Sequence, residues 1–211
     1  MLNVAVLVSG GGTNLQALID AQSSGNLKNG KIALVVSSNQ KAYAKERAAT
    51  AGIPCEVLRR KSFVTQSDYD EALLGILERY QIDLIVLAGF LTIISENVVS
   101  HYPNRIMNVH PSLIPSFCGE GYYGLRVHEE VLKRGVKVTG ATVHFVNEVC
   151  DGGPIIHQKA VEVQQGDTPQ ILQKRVMEQA EWKLLPRAVS LFCQNRLTVE
   201  NGCVTIKEAE S

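Results

Sequence analysis

The sequence predicts an α/β fold: an open, mostly parallel Rossmann-like sheet with helices on both faces and antiparallel strands near the C-terminus. Three observations predict it. Short apolar runs such as Val4–Val8 alternate with amphipathic segments, which is the pattern of βαβ units. A glycine-rich turn follows the first apolar run directly. Near the end, Asn201-Gly202 separates two short alternating runs and predicts a tight hairpin turn.

Hydrophobic periodicity assigns most of the chain to strands or helices. We expect strands at 3–8, 31–37, 54–58, 83–87, 105–109, 137–147, 155–163, 195–199 and 203–206. We expect helices at 13–23, 41–51, 66–80, 95–101, 126–134 and 169–193, the last as one segment. Because no repeat or linker interrupts this pattern, residues 1–211 are expected to form a single domain.

Composition argues against several classes of protein. Lys+Arg equals Asp+Glu at 21 each, so the formal net charge is zero and no nucleic-acid-binding surface is indicated. The longest apolar stretch, near Leu84 to Ile94, is too short to cross a bilayer, and the start lacks the charged segment of a secretory signal. The five cysteines are widely spaced and form no Cys-x-x-Cys pair. We therefore expect a cytoplasmic enzyme with reduced thiols and small-molecule substrates, without nucleic-acid or membrane partners.

The glycine-rich turn Ser9-Gly10-Gly11-Gly12-Thr13-Asn14 predicts an anion site. Glycines let the backbone approach a ligand closely, and the N-terminus of the following helix favours negative charge. The turn is not the dinucleotide fingerprint, because Leu15 stands where the third glycine belongs, and no Gly-Lys-Ser/Thr follows as in a P-loop. A phosphate is the predicted guest. The alternative is an ordinary helix cap at Thr13 or Asn14.

A second motif, Asn108-Val109-His110-Pro111-Ser112-Leu113-Ile114-Pro115, is followed some forty residues later by Asp151-Gly152-Gly153-Pro154. Residues two apart on a strand point to the same face, so Asn108 and His110 are expected side by side. Pro111 ends the strand because it has no N–H, which places both at a carboxyl end, where open α/β sheets bind ligands. Taken singly, a structural histidine and a plain turn at Asp151 remain alternatives. Together the amide, imidazole and carboxylate suit an acyl transfer.

In this order, the motifs resemble the formyltetrahydrofolate-dependent transformylase family. The resemblance runs from about Val4 to Leu197 and includes Leu87-Ala88-Gly89-Phe90, Gly140-Ala141-Thr142-Val143-His144-Phe145 and Glu181-Trp182-Lys183-Leu184-Leu185-Pro186. It implies that 10-formyltetrahydrofolate donates a formyl group to the primary amine of 5-phosphoribosylglycinamide in purine biosynthesis. The reaction passes through a tetrahedral intermediate and is expected to need no metal, since no Cys/His cluster has metal-ligand spacing.

The resemblance and the chemistry together assign three catalytic residues. Asn108 donates its amide N–H groups to the oxyanion of the intermediate. Protonated His110 stabilises the same oxygen and supplies the leaving-group proton. Asp151 holds His110 charged and accepts the amine proton through a water.

The resemblance also implies the binding residues. Glu181 matches the acid that binds the ribose hydroxyls, with a solvated surface glutamate as the alternative. Gly12, Thr13 and Asn14 match the phosphate loop. His144 matches a histidine that helps fix the catalytic aspartate, with a core histidine as the alternative. The folate pocket is matched by Leu91, Thr92, Ile93, Ile94, Val146 and Asn147.

Two departures concern the glutamate tail of the folate. Familiar members carry arginines where this chain has Thr92 and Gln66. We therefore expect the tail carboxylates to lie mostly in solvent, although Arg59, Arg60 or Lys61 can substitute. The glycine-rich loop 116–125 is either a mobile flap or an ordered connection that only wraps the surface, and His128 receives no catalytic role.

Three other functions share part of this pattern. Methionyl-tRNA formyltransferase has the same constellation, but a further tRNA-binding domain and usually an Arg-Gly after the Leu-Pro are expected there. Formyltetrahydrofolate deformylase carries a regulatory domain before the core and lacks this phosphate loop. A nucleotide-binding module without catalysis explains the glycine loop alone. Oligomeric state stays open, with a homodimer as one assembly.

Overall fold

The structure, a computed structural model that describes residues 1–208, contains a seven-stranded sheet and a separate two-stranded hairpin. The strands are β1 Leu2–Val8, β2 Gly30–Ser37, β3 Cys55–Val57, β4 Leu84–Leu87, β5 Ile106–His110, β6 Val138–Phe145, β7 Ile155–Glu162, β8 Leu197–Glu200 and β9 Cys203–Ile206. The helices are α1 Thr13–Ser23, α2 Ala44–Thr50, α3 Gln66–Arg79, α4 Glu96–His101, α5 Leu125–Arg134, α6 Pro169–Val176 and α7 Trp182–Cys193.

The sheet has the order β3-β2-β1-β4-β5-β6-β7. Strands β1 to β5 are parallel, and β6 runs antiparallel to both of its neighbours. The chain moves from β1 outward to β3 and then returns to β4 on the other side of β1. This reversal creates a switch point at the carboxyl ends of β1 and β4, where ligands bind in folds of this kind.

Helices cover both faces of the sheet, which confirms the predicted fold class. Leu15 of α1 and Leu185 of α7 belong to the apolar cluster on one face. Tyr69 and Leu73 of α3 belong to the cluster on the other face. Strand β1 is buried from Val4 to Val8 because each of its faces meets one of these clusters.

The predicted single helix 169–193 is wrong in one respect. A π-helical segment, Met177–Glu181, separates α6 from α7. Pro186 lies inside α7 and has no N–H to donate to the carbonyl of Trp182, four residues earlier. The backbone hydrogen bonds of α7 are therefore weakened just after the π-helical segment ends. π turns are rare and frequently occur at functional sites.

The pairing of β5 with β6 sets the position of the site. Asn108 lies opposite His144, and His110 lies opposite Thr142. Strand β5 also pairs with β4, where Leu87 is level with Asn108. Across residues 1–208, no helix has both the length and the apolar character needed to cross a membrane.

Candidate active site

Asn108, His144 and Asp151 meet at one point. The Nδ2 atom of Asn108 lies 3.2 Å from Nε2 of His144, its partner in the β5–β6 register. Asp151 approaches from the loop after β6, and its Oδ1 lies 3.4 Å from Asn108 Nδ2 and 3.6 Å from His144 Nε2. His144 Nδ1 lies 2.8 Å from the carbonyl of Phe145, which can only accept, so Nδ1 carries a proton. Nε2 faces both the amide of Asn108 and the carboxylate of Asp151.

His110 faces the other oxygen of the same carboxylate. Its Nδ1 lies 3.5 Å from Asp151 Oδ2, and its Nε2 lies 2.9 Å from the carbonyl of Phe117. The side chain is buried, at 4% exposure. Both ring nitrogens therefore face acceptors, and the ring satisfies both only when it is protonated.

The loop 116–125 contacts the site at two points. Phe117 meets His110 through its carbonyl, and Gly119 donates its backbone N–H to Asp151 Oδ2 at 2.8 Å. Neither contact was predicted from the sequence. Backbone groups are present at every residue, so no residue type marks those that reach a site.

The loop that carries Asp151 is held by close backbone packing. Asp151 has a φ of 54°, in the left-handed region that aspartate tolerates better than most residues. At Gly153, an added Cβ would lie only 1.9 Å from the carbonyl oxygen of Phe145. The segment Asp151-Gly152-Gly153-Pro154 is thus a turn, as the simpler interpretation held, and it also delivers the carboxylate.

Burial and charge act against each other in this cluster. Burial lowers the pKa of His110, and this outweighs Asp151 and the Phe117 carbonyl, which raise it. Burial raises the pKa of Asp151, but the hydrogen bond from His144, the charge of His110 and the Gly119 N–H together bring it below its usual value. The expectation that Asp151 keeps His110 charged stays a prediction, because burial and the charge of Asp151 act in opposite directions on the imidazole. The carboxylate is ionised, whereas the imidazole gives up its proton more readily than an exposed histidine.

The glycine loop leads into α1 without a side-chain cap. Gly12 itself is the N-cap, with a φ of 72°, and a Cβ there would lie 2.7 Å from Cβ of Ala44. The alternative of a cap at Thr13 or Asn14 is therefore wrong, because both residues lie inside the helix. The close approach to Ala44 explains why a glycine is required at this position.

Asn14 and Glu181 connect the glycine loop to the π-helical segment. Asn14 Nδ2 donates to Glu181 Oε2 at 2.7 Å, and Thr13 Oγ1 lies 3.7 Å from Sδ of Met177. Glu181 is only 6% exposed, so the alternative of a solvated glutamate is wrong. Burial raises the pKa of Glu181 to about 7, against the lowering effect of the Asn14 hydrogen bond.

Arg47 of α2 is a neighbour of the glycine loop that the sequence motifs did not include. Its Nε donates to the carbonyl of Gly11 at 2.8 Å, and its Nη1 donates to Gln16 Oε1 at 2.9 Å. The guanidinium also lies 5.1 Å from the ring centroid of Tyr43. Arg47 belongs to an otherwise ordinary helix, and only the fold brings this positive charge to the predicted phosphate loop.

The residues matched to the folate pocket lie on two neighbouring loops. Leu91 and Ile93 are 61% and 79% exposed, which is high for large apolar side chains. Ile94 and Val146 are partly buried and pack against the apolar cluster that contains Tyr69 of α3. In the second loop, Asn147 Oδ1 accepts from the N–H of Val149 at 3.1 Å. Thr92 lies between the exposed apolar residues and is partly buried.

Gln66, which stands where familiar members of the family carry an arginine, lies against a different arginine, Arg60. Arg60 Nε donates to Gln66 Oε1 at 2.7 Å, and Arg60 Nη1 donates to the carbonyl of Phe63 at 3.0 Å. Gln66 donates in turn to Asp70, which also accepts from Ser95, the N-cap of α4. Of the three basic residues considered, Arg60 is thus the one held at Gln66.

His128 lies in α5 with no exposed surface. Neither ring nitrogen has a hydrogen-bond partner within residues 1–208. Burial, with a smaller contribution from His110, lowers the pKa of His128 to about 4. It is therefore a neutral core histidine near the site.

The sheet order and the cluster at β5 and β6 define an α/β protein with a polar cluster at the sheet edge where folds of this kind bind ligands. Residues 2–189 match the family described as formyl transferase, and the chain belongs to that family. The resemblance stated from the motifs is confirmed.

Three comparisons refine this assignment. The chain is 40% identical over 201 residues to phosphoribosylglycinamide formyltransferase of Escherichia coli (strain K12), which covers 95% of this chain and 92% of that protein. It is 42% identical over 200 residues to the human trifunctional purine biosynthetic protein adenosine-3, covering 94% of this chain but only 19% of the relative's length. It resembles the crystal structure of glycinamide ribonucleotide transformylase 1 from Symbiobacterium toebii, with a TM-score of 0.92, 39% identity and coverage of 99% and 95%.

Proposed function

We propose that this protein transfers the formyl group of 10-formyltetrahydrofolate to the primary amine of 5-phosphoribosylglycinamide, as a phosphoribosylglycinamide formyltransferase of purine biosynthesis. The proposal rests on one observation at the carboxyl edge of the sheet. The carboxylate of Asp151 lies 3.4 Å from the amide of Asn108 and 3.5 Å from the imidazole of His110. We infer that residues 1–211 act as one domain in the cytoplasm, on small molecules and without a metal.

The amine attacks the formyl carbon, and a tetrahedral intermediate forms with a negative oxygen and a positive nitrogen. Asn108 donates one N–H to that oxygen. Its 3.4 Å contact with Asp151 is long for a hydrogen bond, so it is the one that the oxyanion replaces. The 3.2 Å contact with His144 keeps the amide in place.

His110 and Asp151 move the protons. The lowered pKa of His110 makes the imidazolium a ready donor to the departing folate nitrogen. The lowered pKa of Asp151 keeps the carboxylate ionised, so it accepts the amine proton through a water and stabilises the imidazolium while it lasts. The attacking amine nitrogen loses one proton and the departing folate nitrogen gains one, so the protons balance.

The remaining substrate contacts follow from the positions of the loops. The glycine loop, the N-terminus of α1 and the charge of Arg47 favour the phosphate. Glu181 accepts the ribose hydroxyls, and the exposed apolar side chains of Leu91 and Ile93 provide a wall for the pterin. Arg60 is the available cation for the glutamate tail.

One incubation series tests the function. The purified protein is given 10-formyltetrahydrofolate with 5-phosphoribosylglycinamide, with charged initiator methionyl-tRNA, or with no acceptor. We expect formylated product from the ribotide only. Formylation of the tRNA indicates the tRNA enzyme, and rapid release of formate without acceptor indicates the deformylase. Loss of activity in Asn108→Ala, with an unchanged fold by circular dichroism, ties the product to this site.

A further inference from the structure

A buried amide–carboxylate pair lies between the glycine loop and the π-helical segment. Asn14 is 8% exposed and Glu181 is 6% exposed. The hydrogen bond from Asn14 Nδ2 to Glu181 Oε2 is short, at 2.7 Å. Although Asn14 belongs to the loop that is predicted to bind phosphate, its side chain is committed to the carboxylate.

Each partner keeps an acceptor atom that no described residue uses. Asn14 Oδ1 is buried and has no hydrogen-bond partner within residues 1–208. Within the same range, no donor is hydrogen-bonded to Glu181 Oε1. A buried acceptor without a donor is costly and rare in folded proteins. Asn14 Oδ1 is such an acceptor, and together with the second oxygen of the carboxylate it can receive the two O–H donors of a vicinal diol.

We propose that Asn14 is the positioning residue of the ribose subsite. Its amide holds Glu181 through Oε2, so that Glu181 Oε1 and Asn14 Oδ1 together accept the two vicinal hydroxyls of the ribotide. The inference rests on the proposed function, because it assigns an orientation to the sugar of that substrate. The backbone N–H of Asn14 stays available to the phosphate.

The electrostatics of the pair add a measurable signature. Burial raises the pKa of Glu181 to about 7, and the Asn14 hydrogen bond is the influence that opposes it. Within the described residues, no charged group adds a further influence on this carboxyl. Removal of the Asn14 amide therefore raises the pKa of Glu181 further. As pH falls, the carboxylate that accepts the hydroxyls then becomes protonated at a higher pH than in the wild type.

The test measures ribotide binding and turnover from pH 6 to 9 for the wild type, Asn14→Ala and Asn14→Asp. In Asn14→Ala we expect KM for the ribotide to rise roughly 10- to 100-fold, the usual worth of a hydrogen bond to a charged group. The KM for the formyl donor and kcat at saturating ribotide should change little. The pH below which ribotide binding weakens should move upward.

Asn14→Asp distinguishes positioning from a loss of packing. Its shape is nearly that of asparagine, but at high pH it adds a second negative charge beside Glu181. At lower pH one proton shared by the two carboxyls restores a donor. Ribotide binding should therefore improve as pH falls, which is the opposite of the trend in Asn14→Ala. Asp20→Ala changes an exposed residue of the same helix and should keep the wild-type profile.

Two further experiments use the wild-type protein and so do not depend on whether a variant folds. Calorimetric titration with the ribotide alone gives affinity without turnover. The 2′-deoxy and 3′-deoxy ribotides should each bind at least 10-fold more weakly, because each leaves one acceptor unpaired. Equal use of the deoxy ribotides, or an unchanged ribotide KM and pH profile in both Asn14 variants, contradicts the role of Asn14. Failure of the wild type to formylate any ribotide overturns the proposed function instead.

Discussion

Gly119 donates its backbone N–H to the carboxylate of Asp151 across 2.8 Å, so a loop between β5 and α5 holds the acidic group of the site. The same Oδ2 atom lies 3.5 Å from His110, while Oδ1 lies 3.6 Å from His144. The carboxylate is thereby fixed from three directions. Its orientation is set by the fold before any substrate arrives, which is the requirement for a group that must meet a transient charge.

Substitution of the acid tests this arrangement. Asp151→Asn should lower kcat by roughly 10²- to 10⁴-fold, because an amide neither accepts the amine proton nor stabilises an imidazolium. His110→Ala should lose a similar factor. The double variant should lose much less than the product of both, because the two groups act on one intermediate. Steady-state kinetics measures all three, with Asp20→Asn as a surface control; near-normal turnover in either folded single variant contradicts the assignment.

The acceptor offers a second test. Free glycinamide carries the reacting amine but lacks the phosphoribosyl group that the glycine loop and Glu181 are proposed to hold. It should be a very poor acceptor, because remote binding energy no longer positions the amine. Comparison of kcat/KM for glycinamide and for the ribotide measures this effect. Equal use of both acceptors rules out recognition through the phosphoribosyl group.

Arg60 makes a prediction about the folate tail. If its guanidinium at Gln66 meets the tail carboxylates, polyglutamylated donors should bind more tightly than the monoglutamate at low salt, and the difference should shrink as ionic strength rises. Arg60→Ala should reduce that preference by roughly two- to fivefold, which is the worth of an exposed charge pair. Arg59→Ala, one residue away, is the matched control. If the preference survives in Arg60→Ala, the tail lies in solvent or meets another cation.

His128 predicts how stability depends on pH. Its pKa is about 4 in the folded protein, against 6.5 for an ordinary histidine, so between these values the unfolded chain binds a proton that the folded chain does not. Stability therefore falls as pH drops from about 6.5 to about 4, by roughly 3 kcal/mol at most. Urea unfolding of His128→Leu should show a flatter dependence over this window. His101→Leu removes an exposed histidine and should keep the wild-type slope; the same slope in His128→Leu contradicts the prediction.

The sequence predicted what depends on side-chain pattern. The apolar runs marked β1 and β2. The polar residues within β5 and after β6 marked the cluster, because both signals lie in residue types at regular spacing. The contacts of Phe117 and Gly119 escaped prediction, since they use backbone atoms that every residue carries. The pairing of Arg60 with Gln66 also escaped, because it depends on how the short turn before α3 folds.

The π-helical segment Met177–Glu181 has a consequence for how this region tolerates change. A wide turn holds one residue more than a regular helix of the same rise, so the faces of α6 and α7 are out of phase with each other along the sequence. Deleting one residue there would restore a continuous helix that is locally more regular, yet it would rotate Glu181 away from Asn14. Alignments or designs that favour helical regularity would thus keep the core of α7 and lose the carboxylate, and the fold alone would not reveal the loss.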